Sequence, residues 1–111
     1  MNVVRINCQK IVDWKTFHEV FKTEMGFPDF YGNNMNAWID CMRSLDTPED
    51  NMTKIFVENG QIVTLQLDNV EGFIQKYREH YDAIVECLAF VNWSRIENGA
   101  GPLLALAFNK N

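Results

Sequence analysis

The chain is 111 residues long, 47% hydrophobic and 13% aromatic, which excludes a disordered segment and suits one domain over 1–111 with its own core. Fifteen acidic against ten basic residues give a formal charge of -5, which argues against nucleic acid or an anionic membrane as partner and accommodates a basic protein. The balance is uneven: Arg5, Lys10, Lys15, Lys22 and Arg43 match the acids up to Leu45, and beyond it acids outnumber bases two to one.

Val3-Val4-Arg5-Ile6 is short and β-branched, which predicts a first strand. Asp13 is an N-cap for a helix to about Met25, where Trp14, Phe17, Phe21 and Met25 recur at helical spacing as a core face. His18, Glu19 and Lys22 are expected outside. Gly26 can take the left-handed cap position, and Pro28 keeps the helix from resuming. Asn33 or Asn34 then caps a helix to about Leu45, with Trp38, Met42 and Leu45 on one stripe and Met35 beside it. Asn36, Ile39, Asp40 and Arg43 form the opposite stripe. Thr47-Pro48-Glu49-Asp50 suggests a brief capped helical turn.

Lys54–Val57 and Ile62–Leu67 are strand-like runs around Asn59-Gly60, a strong hairpin signal that allows an extra antiparallel strand. A helix from about Val70 to His80 is expected to bury Phe73, Ile74 and Tyr77. A second, Asp82 to Ile96, is apolar nearly all round over Ala83–Val91 and so is expected to be covered on most sides, with Trp93 in the core or, alternatively, marking a second contact area with Arg95 near the C-terminal end. After the loop 98–102, Leu103–Phe108 is apolar at every position, which predicts a strand buried on both faces and parallel to its neighbour. Alternating strands and helices make this an α/β domain.

The run Phe30-Tyr31-Gly32-Asn33-Asn34-Met35-Asn36-Ala37-Trp38-Ile39-Asp40-Cys41 closely resembles the signature of the barstar family of ribonuclease inhibitors. That resemblance implies a small three-layer fold with a mainly parallel three-stranded sheet packed by helices. It implies a cytosolic inhibitor that plugs the active site of a secreted guanyl-preferring ribonuclease, or a related nuclease toxin, in an immunity role. Asp40 matches the family's central acidic residue, which occupies the enzyme's phosphate site; Tyr31, Gly32 and Asn34 match the loop at the edge of the plug, and Cys41 matches a buried cysteine. Phe30, in place of a tyrosine, keeps a ring to stack with Tyr31 against the rim of the enzyme. Asn36 replaces an aspartate, Ile39 replaces a tryptophan, and Arg43 adds a cation one turn beyond Asp40. The family's late-helix glutamate has no acidic counterpart; Asn92 or Ser94 lies nearest. Asp46, Glu49 and Asp50 are a candidate replacement for the charge missing at Asn36. The expected partner-binding set is therefore Phe30, Tyr31, Gly32, Asn34, Asn36, Ile39, Asp40, Arg43 and Asp46.

Two other function classes compete. One is an interaction domain of the same fold that binds a different protein without inhibiting ribonuclease; on that footing Asp40 can be a solvated carboxylate paired with Arg43 at i+3. The other is a thiol hydrolase using Cys41 and a histidine. Helical spacing turns Cys41 coreward, however, and no oxyanion motif is present, so no catalytic residue is assigned. Three cysteines without a CxxC pair (Cys8, Cys41, Cys87) and two histidines, His18 and His80, give no disulfide framework, metal site or cofactor. With no membrane-length apolar run and no apolar signal core after Met1, a cytoplasmic protein with reduced thiols is expected.

Overall fold

The computed structural model describes residues 2–110. Strand β1 (Val3–Asn7) leads through a 3-10 turn (Cys8–Lys10) into helix α1 (Trp14–Met25), then α2 (Met35–Met42) and a second 3-10 turn (Pro48–Asp50). Strand β2 (Val63–Asp68), helices α3 (Val70–Lys76) and α4 (Arg78–Glu97) and strand β3 (Leu104–Asn109) complete the chain. The sheet order is β1-β2-β3, parallel throughout, with Val4 opposite Leu65 and Leu65 opposite Leu106.

Side-chain alternation in this register explains the layering. Val4, Ile6, Val63, Leu65, Leu67 and Leu104 turn to one face, which the helices bury. On the other, Arg5, Gln66 and Asn109 converge on the Asp68 carboxylate, with the Arg5 Nε–Asp68 bond at 2.9 Å and the Gln66 amide at 2.8 Å. The Gln66 amide, then Arg5 and Asn109, hold that carboxyl below its ordinary pKa against the opposing effect of burial. Helix α1 packs on β1 and α4 on β3, while α2 packs on α4 and, through Trp38 edge-on to Phe21 at 5.6 Å, on α1. Sheet, helix pair and α2 are thus three successive layers, and α2 is the outermost.

Helix α1 starts where expected: the Asp13 carboxylate accepts from the Thr16 N–H at 2.8 Å, and Thr16 Oγ1 accepts from the Asp13 N–H at 3.1 Å. It ends at Gly26, whose φ of +69° favours glycine and whose missing Cβ makes room for Lys54, since a Cβ there would sit 2.5 Å from the Lys54 Cβ. Helix α2 is capped by Asn34 rather than Asn33, through a 2.8 Å bond from the Ala37 N–H, and it ends at Met42 rather than Leu45.

Several expectations are overturned. Lys54–Val57 is no strand: its Lys54 and Val57 N–H groups donate to the carbonyls of Met25, at the end of α1, and of Leu45, in the turn that follows α2. Asn59-Gly60 does form a turn, closed by Gln61 N–H to the Glu58 carbonyl, but among the described residues no extra antiparallel strand is formed. The third helix stops at Lys76, and a new one starts at Arg78 instead of Asp82; Ile74 and Tyr77 are only half-buried. His18 is not outside but 3% exposed. Strand β3 is a sheet edge: Ala105 and Ala107 are only half-buried, and Phe108, on the helix-covered face opposite Leu67 but at the end of the strand beside Tyr81, is exposed, so the strand is not buried on both faces. For the same reason α4 buries only Ile84, Leu88, Val91 and Ser94, leaving Phe90, Trp93 and Ile96 in solvent. Trp93 is therefore not core.

Candidate functional site

The two residues that precede Gly32 face opposite ways. Phe30 is 76% exposed, whereas Tyr31 is buried, its ring against Phe27 at 4.7 Å and its hydroxyl 2.6 Å from His18 Nδ1. Burial pushes the His18 imidazole below its ordinary pKa and the Tyr31 phenol above its own, so this is a neutral hydrogen-bonded pair pinning the loop to α1. The expectation that Tyr31 stacks on a partner's rim is corrected accordingly: its side chain belongs to the core, and the exposed ring is that of Phe30 alone. Gly32 and Asn34 shape the entry to α2, with the Asn34 amide donating to the Gly32 carbonyl at 3.2 Å while its oxygen caps the helix.

Helix α2 is divided as its periodicity demands. Trp38, Cys41 and Met42 are at most 1% exposed, while Asn36, Asp40 and Arg43 are exposed and Ile39 is half-buried. Asp40 and Arg43 do not pair. Neither side chain forms a hydrogen bond or ion pair with any described residue, so both charges are available at the surface. Beside them, between α2 and the C-terminal turn of α4, is a hollow of about 310 Å³ lined by Asp40, Arg43, Ser44, Arg95, Asn98 and Ala100.

Asp46 is corrected too. Its carboxylate is turned inward, paired with Arg95 Nη2, and the two side chains are only 10% and 20% exposed. Asp50 accepts from the Ser44 hydroxyl at 3.0 Å, so of the acidic turn Glu49 alone is uncommitted to a side-chain contact. The two positions nearest the family's late glutamate are structural. The Asn92 amide bonds the backbone of Leu103 and Leu104, and the Ser94 hydroxyl donates to the Val91 carbonyl. Asn98 and Ser44 have no signal in the sequence, and Arg95 reads there only as part of a separate contact area with Trp93, because no local pattern joins residue 95 to residue 46.

The frame matches a known one. A family model described as Barstar (barnase inhibitor) matches residues 1–101. The chain belongs to the barstar family. No curated protein matches the chain significantly. The barstar match spans the signature loop, α2 and all of α4, and stops just before β3. The family is one of inhibitors, and Cys41 is unsuited to nucleophilic chemistry: it is 1% exposed, and burial, reinforced by the charge of Asp40, pushes its thiol up to about 11. Among the described residues no group of three or more His, Cys, Asp or Glu side chains is placed to hold a metal ion, and no helix is long and apolar enough to cross a membrane.

Proposed function

We propose that this chain is a cytoplasmic, non-catalytic inhibitor that binds and blocks the active site of a small basic ribonuclease or nuclease toxin, as an immunity protein for the cell that makes it. The observation that carries this reading is Asp40: an unpaired carboxylate on the exposed stripe of an eight-residue helix whose opposite stripe is locked in the core. Such an anion is free to enter a site built for phosphate, where charge-assisted hydrogen bonds are strong. Phe30 supplies an apolar ring at the edge of the same surface, and Asn34, Asn36 and Ile39 set its fit.

The test is titration into a guanyl-preferring secreted ribonuclease, following RNA cleavage and heat of binding at low and high salt. Stoichiometric inhibition that weakens with salt is expected, and Asp40→Ala should weaken it by about 2–5 kcal/mol, the usual cost of truncating one partner of a desolvated charge pair. Tight inhibition that survives Asp40→Ala would refute the role given to Asp40. The neutral side chains at Asn36 and Ile39 and the free cation at Arg43 favour a second reading, a protein-interaction domain that no longer inhibits ribonuclease. Absence of any binding to the ribonuclease would select it.

A further inference from the structure

The hollow beside Asp40 has a charge pattern of its own. Two guanidinium groups line it, and both have donors to spare. Arg43 is exposed and forms no ion pair or hydrogen bond with any described residue. Arg95 uses Nη2 on Asp46, while its Nε is buried without an acceptor and its Nη1 makes no hydrogen bond. The buried Nε is out of a ligand's reach, as is the unpartnered Asp46 Oδ1, but a guanidinium offers five N–H donors in a planar fork, so the Nη1 edge of Arg95 has donors for one more oxygen atom. The Ser44 hydroxyl and Asn98 amide, which also line the hollow, already donate to Asp50 and to the Ser94 carbonyl. Apart from the second N–H of the Asn98 amide, the unspent donors are therefore cationic ones.

The formal charges set what fits. Asp46 cancels Arg95, and Asp40 at the rim cancels Arg43, so the hollow as a whole is neutral but polarised, with an open anion and an open cation. A ligand that brought only positive charge to Asp40 would press the same charge against Arg43, one turn along the same stripe, and like charges at an interface are strongly unfavourable. A phosphate dianion would meet Asp40 in the same way. The ligand that satisfies both ends carries a cation and a monoanion side by side. At about 310 Å³ the hollow is at the small end of ligand pockets, suited to the head of one side chain rather than a large molecule.

We infer that this hollow is a carboxylate-accepting subsite, in which Arg43 and Arg95 receive an aspartate or glutamate side chain of the protein partner while Asp40 receives that partner's neighbouring basic group. The inference rests on the inhibitor reading and sharpens it: the partner's surface is basic but not uniformly so, and it sets a carboxylate beside its anion site. Arg43 is the specificity-determining residue, because Arg95 is already half-committed to Asp46.

The test requires no ribonuclease, so it stands or falls separately from the inhibitor reading. The full chain, labelled with nitrogen-15, is titrated at constant ionic strength with the capped dipeptides acetyl-Lys-Glu-amide and acetyl-Lys-Gln-amide while the arginine Nε–Hε signals are followed. Saturable shifts of the Arg43 and Arg95 signals are expected with the glutamate peptide, the exposed Arg5 and Arg78 serving as internal controls. The glutamine peptide, and the glutamate peptide on Arg43→Gln, should each bind about two- to five-fold more weakly, the range of a solvent-accessible ion pair. Signals of Arg43 and Arg95 that move no more than those of Arg5 and Arg78, or that respond equally to both peptides, would overturn the subsite.

Discussion

Tyr31→Phe separates the two jobs that a signature tyrosine can have. The substitution removes one hydroxyl and keeps the ring that packs on Phe27, so no sizeable cavity opens. What it strands is His18 Nδ1, which loses its partner at 2.6 Å in a site where His18 is 3% and Tyr31 5% exposed. A buried polar atom left without a partner costs about 1–3 kcal/mol, and burial this complete places the cost in the upper half, about 2–3 kcal/mol. At about 4 °C per kcal/mol for a domain of this size, the melting temperature should fall by about 8–12 °C. Phe30→Ala is the matched control: a ring 76% exposed has little to lose on truncation, so its stability should stay within about 0.5 kcal/mol of the parent. Urea unfolding of the three proteins at pH 7.5 gives the free energies, and ribonuclease titration of the folded variants gives affinity. The expected pattern is crossed, with Tyr31→Phe losing stability and Phe30→Ala losing affinity. A Tyr31→Phe protein as stable as the parent but weaker in binding would refute the argument and make the hydroxyl a direct contact.

Two further outcomes follow from buried groups. Because burial, and then the charge of His80, holds the His18 imidazole below its ordinary pKa, the unfolded chain binds a proton that the folded one refuses once the pH drops below about 6.5. Stability should therefore be flat above that pH and decline beneath it until the folded pKa is passed. His18→Asn, which keeps a polar atom near Nδ1 without titrating, should flatten the decline in urea midpoints between pH 7.5 and 5.5; an unchanged slope would assign it to another group. Asp46→Ala leaves the Arg95 guanidinium four-fifths buried without its anion and should cost about 2–4 kcal/mol, a little below the range for a fully buried pair. Combining it with Arg95→Met should cost less than the sum of the two single changes, and strict additivity in a double-mutant cycle would show that the two do not interact.

How much of this was legible depends on the range over which each residue acts. Helices α1 and α2 could be read because spacing within one turn decides which side chains share a face, and Asp40 stands outward on α2 for that reason. His18 has a polar side chain that suggests solvent, yet its position, four after Trp14 and three before Phe21, is on the core stripe, and the hydroxyl that satisfies it there is 13 residues away. The exposed side of α4 was illegible because the width of the sheet beneath it is not written in α4; three strands cover one side of a helix whose apolar residues encircle it. The 54–57 segment reads as a strand by composition, yet the carbonyls it meets belong to the last residue of α1 and to the turn after α2. Arg95 became part of the site only through an ion pair spanning 49 positions.

The same long-range contacts explain why a helix of only eight residues can serve as a rigid plug. In isolation α2 would be far below the length at which helices persist in water. Here its inner stripe is closed by Trp38 on Phe21 and by packing on α4, its start is fixed by Asn34, and the loop before it is tied through Tyr31 to His18. Beyond its end, the Asp46–Arg95 pair ties the following turn to α4. None of these ties uses the side chain of Asn36, Asp40 or Arg43, so the outward side chains are held in place without being consumed. Ordering costs that a flexible loop would incur on association have been met during folding, which leaves more of the Asp40 interaction to appear as affinity. The ties also make the surface selective. Arg43 cannot swing away with a mobile backbone when the partner's charge is wrong, so a partner lacking a carboxylate there meets the full like-charge penalty.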